Sequence, residues 1–366
     1  MNICIVAGAR PNFVKVAPIV RAIKKMAAEG VDVSCNLVYT GTEDDSSLES
    51  MLFSDLQMDK PDAYLGLEPI ISNEYMGEVM VRFEAFLASH PADVIMVVDD
   101  LISTMGVSIV AKRMGLILVH VVAGTRSFNF NVPKEINRMV IDGLSDILFT
   151  SGISNNSIAN REGAELSKVY MVGNVLIDSL RYDQACFYRP KAMDELGLKE
   201  GDYIVFTLNR RELLTNKELL RNIIVAMCET AKIPVIAPLH PYVAGVFAAM
   251  ELPDNFHVTS PFRYLEFGYL NAKAKGVVTD SGNVAEEATF NFVPCITLND
   301  YVEHQETVVL GTNVLVGTDV EKLRDAVTDM VEGRWKKSSL PDRWDGHSAE
   351  RIVQIILQQT IDSKHE

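Results

Sequence analysis

Residues 1–28 read MNICIVAGARPNFVKVAPIVRAIKKMAA. Residues 3–6 form a short run that is apolar at nearly every position, which is the mark of a strand buried on both faces. A polar, glycine-containing turn follows, Ala7-Gly8-Ala9-Arg10-Pro11-Asn12-Phe13, and then apolar residues at helical spacing over 13–28. This is one strand–loop–helix step, and the chain repeats it. Further strands are expected at 35–38, 93–98, 117–121, 147–149 and 169–172, with helices over 74–89, 103–114 and 135–144. Alternation of this kind predicts an α/β fold with a doubly wound parallel sheet.

The pattern then restarts. Strands are expected at 203–207, 235–238, 256–259, 276–279, 295–298 and 314–316, with helices over 216–232, 264–274, 284–291 and 320–330. The stretch 172–201, which contains Pro190, is the expected boundary. Pro341, Trp344 and Gly346 break the chain before a final helix. The expected domains are therefore 1–171, with a helix over 349–366 returning to it, and 172–340. At 366 residues the chain is long enough for two domains of roughly 150 residues each.

The chain has 34 basic and 49 acidic residues, a net charge of −15, and no basic cluster. It therefore has no evident means of gripping a nucleic acid. The N-terminus lacks a basic region before its short apolar run, and no window reaches the ~18 apolar residues a spanning helix needs. Cys4, Cys35, Cys186, Cys228 and Cys295 show no C-x-x-C spacing. The expectation is a protein of the cytoplasm with buried thiols, no metal, no cofactor and no membrane partner.

In parallel sheets ligands gather beyond the carboxyl ends of the strands. Five polar loops fall there. The first, 7–13, offers Gly8, Arg10 and Lys15 near a helix start, which suits an anion; an ordinary turn with a surface arginine reads equally well. The second is Thr279-Asp280-Ser281-Gly282-Asn283, a possible phosphate nest with Ser281 as an added donor, or else a helix capped by Ser281. Glu287 lies on the following helix, placed to accept from ribose hydroxyls. The others are 120–138, Asn209-Arg210-Arg211-Glu212, and Pro238-Leu239-His240-Pro241.

Several segments resemble the non-hydrolysing UDP-N-acetylglucosamine 2-epimerases: GARPNFVKVAPI (8–19), INRMVIDGLSDILF (136–149), VGNVLIDSL (172–180), TDSGNVAEEA (279–288) and EHQETVVLGTNVLVG (303–317). The resemblance runs along nearly the whole chain. It implies the GT-B arrangement, two Rossmann-like domains with a UDP-sugar in the cleft between them, and a homodimer formed through the first domain. It further implies removal of the sugar C2 proton with expulsion of UDP, then re-addition of UDP to the opposite configuration, in the supply of surface-polysaccharide precursors.

The UDP-holding set carries over as Arg10, Lys15, Arg210, His240, Ser281, Gly282 and Glu287. The acid–base set does not. The Asp of the family's G-D-T loop falls on Asp100 and is kept, with Asp99 in place of the glycine before it. The Glu of H-V-E-A-G-L-R falls on Val122. Of the two glutamates in P-E-E-I-N-R, the first falls on Lys134 and the second is Glu135. The His of G-H-R-R-E falls on Asn209. Where relatives read T-G-Q-H-Y-D, this chain has Thr40-Gly41-Thr42-Glu43-Asp44-Asp45, three acids that would repel a second nucleotide. The expectation is a binder of a UDP-N-acetylhexosamine or UDP whose epimerase turnover is weak or lost, with Asp100 and Glu135 the catalytic candidates that remain. The alternatives are a non-catalytic UDP-sugar-binding or regulatory subunit, or a glycosyltransferase or hydrolase on the same fold.

Overall fold

A computed structural model describes residues 1–48, 51–68, 72–162 and 168–362. The chain divides into two compact units, Met1–Arg181 with Asp342–Glu366, and Tyr182–Pro341. The first holds strands β1 (Asn2–Ala7), β2 (Ser34–Tyr39), β3 (Ala63–Tyr64), β4 (Val94–Val98), β5 (Ile117–Val121), β6 (Ile147–Thr150) and β7 (Lys168–Met171). The second holds β8 (Ile204–Thr207), β9 (Val235–Pro238), β10 (Phe256–Thr259), β11 (Gly276–Thr279), β12 (Cys295–Thr297) and β13 (Asn313–Leu315).

Each unit is a parallel, doubly wound sheet. The orders are β3-β2-β1-β4-β5-β6-β7 and β10-β9-β8-β11-β12-β13. All five residues of β4 are buried, because helices cover both faces of the sheet. Apolar clusters line those faces: Phe83, Val79 and Val107 against β4 in the first unit, and Ile223, Met227 and Phe247 against β8 and β9 in the second. Each such side chain contributes about 1.5–3 kcal/mol on leaving water. Strand order reverses between β1 and β4 in one unit and between β8 and β11 in the other. Each reversal opens a crevice at the carboxyl ends of its own unit's strands, where ligands bind in such folds.

The boundary falls at Arg181–Tyr182, later than the expected 171/172. Helix Val175–Asp183 keeps all but its last two residues in the first unit: Leu176, Ile177 and Leu180 are buried, and Ser179 Oγ donates to Val14 O at 2.5 Å. The last helix, Ser348–Asp362, belongs to that unit too; the final residues of the expected 349–366 helix, 363–366, lie outside the described residues. Its return is pinned at three points. The indole of Trp344 donates to Ser151 O at 3.1 Å, Ala349 N donates to Asp178 Oδ2 at 2.7 Å, and Arg351 donates to Val172 O at 2.9 Å.

The thiols differ from expectation. Cys4, Cys228 and Cys295 are buried, and burial pushes each up to about 12, but Cys186 is exposed and Cys35 half-buried. Cys186 escapes the core because it sits on a 3-10 turn, Gln184–Cys186, with no buried residue. Among the described residues no helix is long and apolar enough to cross a membrane.

The close approach of the returning chain generates a prediction. Gly173 has φ +100°, and a Cβ there would lie 2.0 Å from Arg343 O. Gly173→Ala should destabilise the protein by about 1–3 kcal/mol or more, whereas Gly245→Ala, in a helix with open space around it, should be neutral or stabilising by about 0.4–1 kcal/mol. Calorimetric melting of the two variants checks this; equal melting temperatures would show that the returning segment is not tightly seated.

Candidate functional site

In the first unit, helix Arg10–Ala28 begins at the end of β1, three residues before the expected start, so Arg10 stands on its first turn. Gly8 is required sterically, since a Cβ there would meet Ser103 Oγ at 2.3 Å. The amides of Gly8 and Ala9 both donate to Asn12 Oδ1, at 2.9 and 3.0 Å. Asn12 Nδ2 donates to Asp99 Oδ2 at 2.7 Å, and Lys15 Nζ donates to Asp99 Oδ1 at 2.6 Å. Asp99 itself has φ +61°. The loop after β4 is thus tied to the loop after β1 by one carboxylate.

The next residue is held as firmly. Asp100 is 8% exposed, and its carboxylate meets Lys134 Nζ at 3.1 Å and Arg138 Nε and Nη2 at 2.7 Å each. Burial pushes this carboxyl up, but Lys134 and Arg138 outweigh it and leave the group below its ordinary value. Glu135 is buried in helix Pro133–Leu144 and accepts from Ser127 N and Phe128 N at 2.8 Å and from Ser127 Oγ at 2.9 Å. Burial again acts upward, and these bonds together with Arg138 bring it below the usual range. Both carboxyls therefore stabilise the fold above the ordinary carboxylate range, and that contribution is lost as pH falls.

Val122 follows β5 at φ +71°, a conformation rare for a β-branched side chain and costing about 1–3 kcal/mol. Its surroundings impose it. Thr125 Oγ1 donates to Val122 O at 3.2 Å, Ala123 N to Phe149 O at 2.9 Å, and Gly124 N to Asp142 Oδ2 at 3.1 Å. Asp142 also meets His120 Nδ1 at 2.6 Å and Arg126 Nη1 at 2.7 Å, while His120 Nε2 lies 3.0 Å from Asp99 O. The side chain held in this turn is apolar and buried.

The second unit solves the same junction with backbone. Asp280, after β11, accepts from Asn209 N at 2.8 Å and Arg210 N at 2.5 Å, after β8. Its carboxyl is raised by burial against those two bonds. Arg210 Nη1 donates to Leu298 O at 3.3 Å and Asn299 Oδ1 at 3.1 Å, and Nε lies 3.4 Å from Glu212. Ser281 caps helix Gly282–Phe290, accepting from Val284 N at 3.5 Å, so the capping reading of this hydroxyl holds. Gly282 faces Glu303, whose Oε2 would be 3.2 Å from a Cβ there. Glu287 accepts from Asn271 Nδ2 at 3.1 Å. His240 is exposed at the start of the short helix Pro241–Phe247, and Asn209 is exposed.

The structure thus brings Lys15, Asp100, Lys134 and Glu135 together with Asn12, Asp99 and Arg138 in the first unit, and Arg210 and Ser281 with Asp280 and Asn299 in the second. Asn12, Arg138 and Asp280 lie within the loops singled out from the sequence, which gave none of them a role of its own. Asn12, at the third helical position, was the one with a local signal, as a side chain able to turn back on the loop amides. In the loop 40–45, Asp45 is turned inward, accepting from Tyr39 Oη at 2.5 Å and Ser47 N at 2.8 Å, so only part of that acidic run faces outward. Among the described residues no group of three or more His, Cys, Asp or Glu is placed to hold a metal ion.

A family model described as UDP-N-acetylglucosamine 2-epimerase matches residues 24–357. The chain is 32% identical over 371 residues to a UDP-N-acetylglucosamine 2-epimerase of Methanocaldococcus jannaschii, covering 97% of this chain and 99% of that one. It is 34% identical over 367 residues to the UDP-2,3-diacetamido-2,3-dideoxy-D-glucuronate 2-epimerase of Pseudomonas aeruginosa, covering 98% and 100%. The crystal structure of the Methanocaldococcus jannaschii enzyme in complex with UDP-GlcNAc and UDP superposes with a TM-score of 0.85 at 31% identity, over 98% of this chain and 100% of that one. A match of this extent, on two doubly wound units with the strand-end loops just described, places the chain in the UDP-N-acetylglucosamine 2-epimerase family.

Proposed function

We propose that this chain binds a UDP-N-acetylhexosamine and is weak or inactive as a 2-epimerase. The observation that carries this reading is the Lys134–Asp100 ion pair at 3.1 Å, closed on its other side by Arg138. Epimerisation at C2 needs one group to take a proton and another to return one to the opposite face. Asp100 is a poor base while two cations hold it ionised, because protonating it would break both pairs. Glu135 is committed to the amides of Ser127 and Phe128 and the Ser127 hydroxyl. Val122 and Asn209 offer no group that titrates near neutrality. Each missing acid–base group typically costs about 10²–10⁴ in rate.

Binding is supported separately. Arg210 and the Ser281–Gly282 turn stand at the strand-order reversal of the second unit, with Glu287 on the adjoining helix. A 31% identical neighbour holds UDP-GlcNAc and UDP. A role as a non-catalytic UDP-sugar-binding or regulatory subunit follows from the same ion pair.

Two outcomes are expected. Incubated with UDP-GlcNAc in deuterated buffer, the protein should show little or no exchange of the C2 hydrogen by NMR, and the triple variant Val122→Glu, Lys134→Glu, Asn209→His should show more. Rapid exchange with epimer formation by the unaltered chain would return it to the active enzymes. In calorimetry Arg210→Ala should weaken UDP binding by about 1.5–3 kcal/mol, as for a charge-assisted hydrogen bond. An unchanged affinity removes Arg210 from the site.

A further inference from the structure

We infer that Asp99 is a built-in counter-ion for Lys15 that sets how strongly the first strand-end loop accepts a ligand anion, an inference about affinity that rests on the UDP-sugar reading above. Lys15 is 5% exposed. An ammonium so placed must be balanced where it stands. Its partner at 2.6 Å is the carboxylate of Asp99, whose second oxygen takes Asn12 Nδ2 at 2.7 Å. Asn12 in turn takes the amides of Gly8 and Ala9. The lysine and both loop amides are the groups that would grip an incoming phosphate, and all three lead to Asp99 directly or through Asn12.

The φ of +61° at Asp99 lies in the left-handed region, where glycine is favoured and aspartate is tolerated, so replacing the side chain there leaves the turn's backbone unstrained. The second unit shows the contrast. Asp280 occupies the equivalent place, after the strand that flanks the reversal, but it binds amides. The Arg210 guanidinium there lies on two neutral oxygens and, more distantly, on the exposed Glu212. At one junction a partly exposed cation is shared between neutral oxygens and a looser, exposed carboxylate; at the other a buried cation sits directly on a carboxylate. A diphosphate approaching Lys15 meets a neutral pair and must work against the Asp99 charge.

The test uses the full chain as wild type, as Asp99→Gly, which suits the backbone and removes the carboxylate from Lys15, and as Asp99→Asn, which keeps the acceptor for Asn12 and drops the charge. Each is titrated with UDP and with inorganic pyrophosphate by calorimetry, and melted with and without them. Both variants should bind UDP at least tenfold more tightly than the wild type, with a steeper loss in salt. Without ligand they should melt lower, since a buried ammonium has lost the carboxylate beside it, and they should regain more on adding the anion than the wild type does. Adding Lys15→Met to Asp99→Asn should abolish the gain.

If wild type and variants bind UDP alike, or the variants melt lower without rescue, Asp99 is only a brace and the inference fails. If no form binds UDP but pyrophosphate rescues the variants, the counter-ion stands and the UDP reading fails. If neither anion binds or rescues any form, both are wrong.

Discussion

A charge carried into the interior of a protein has to find its opposite within a few ångströms, and the loops of the first unit are arranged around that requirement. Lys15 comes in on the first helix and meets Asp99 from the loop after β4. Arg138 comes in on helix Pro133–Leu144 and meets Asp100 and Glu135. Arg126 and His120 share Asp142. Apart from Glu135–Arg138, which lie one turn apart on a helix, these pairs join residues well separated in sequence, so together they fix how the turns after β1, β4 and β5 sit on the sheet. Removing one partner of such a pair costs far more than the pair itself contributes, since the other charge is left buried and uncompensated. The loops that would hold a ligand are for that reason also the loops that hold the unit together.

Such a frame holds its shape independently of the side chain carried at any one turn. The turn at Val122 keeps its left-handed conformation because Thr125, Gly124 and Asp142 impose it, whatever side chain it carries. Asp100 and Glu135 likewise have structural work, one as anchor for Lys134 and Arg138, the other as acceptor for the turn at Ser127 and Phe128. A carboxylate stabilised as an anion is, by the same amount, a weaker base. Retention of these two residues is therefore accounted for by packing and charge balance without any proton transfer.

Much of the fold was legible because buried parallel strands are apolar at nearly every position and helices recur at their own period; twelve of the expected strands correspond to strands in the two sheets. The two-residue β3 and short helices such as Arg211–Thr215 carry too few residues for either period to show. The ten residues between the expected boundary and Arg181–Tyr182 are assigned by contacts distant in sequence, such as those of helix Val175–Asp183 with Val14 and Ala349. At the site, residue types and loops were readable, whereas partnerships were not. Asp99 read as one more negative charge, and nothing local tells that it is the anion Lys15 needs, 84 positions away.

If Asp100 is an ion-paired anion and not a base poised for proton transfer, its own titration shows it. Carboxyl-carbon NMR on protein labelled at aspartate, assigned with Asp100→Asn and followed from neutral to acid pH with and without UDP, reads that carboxyl alone. The account predicts a midpoint below the ordinary aspartate value of about 3.9, rising when Lys134 is replaced by methionine. A midpoint near neutrality, or one indifferent to Lys134, would contradict it.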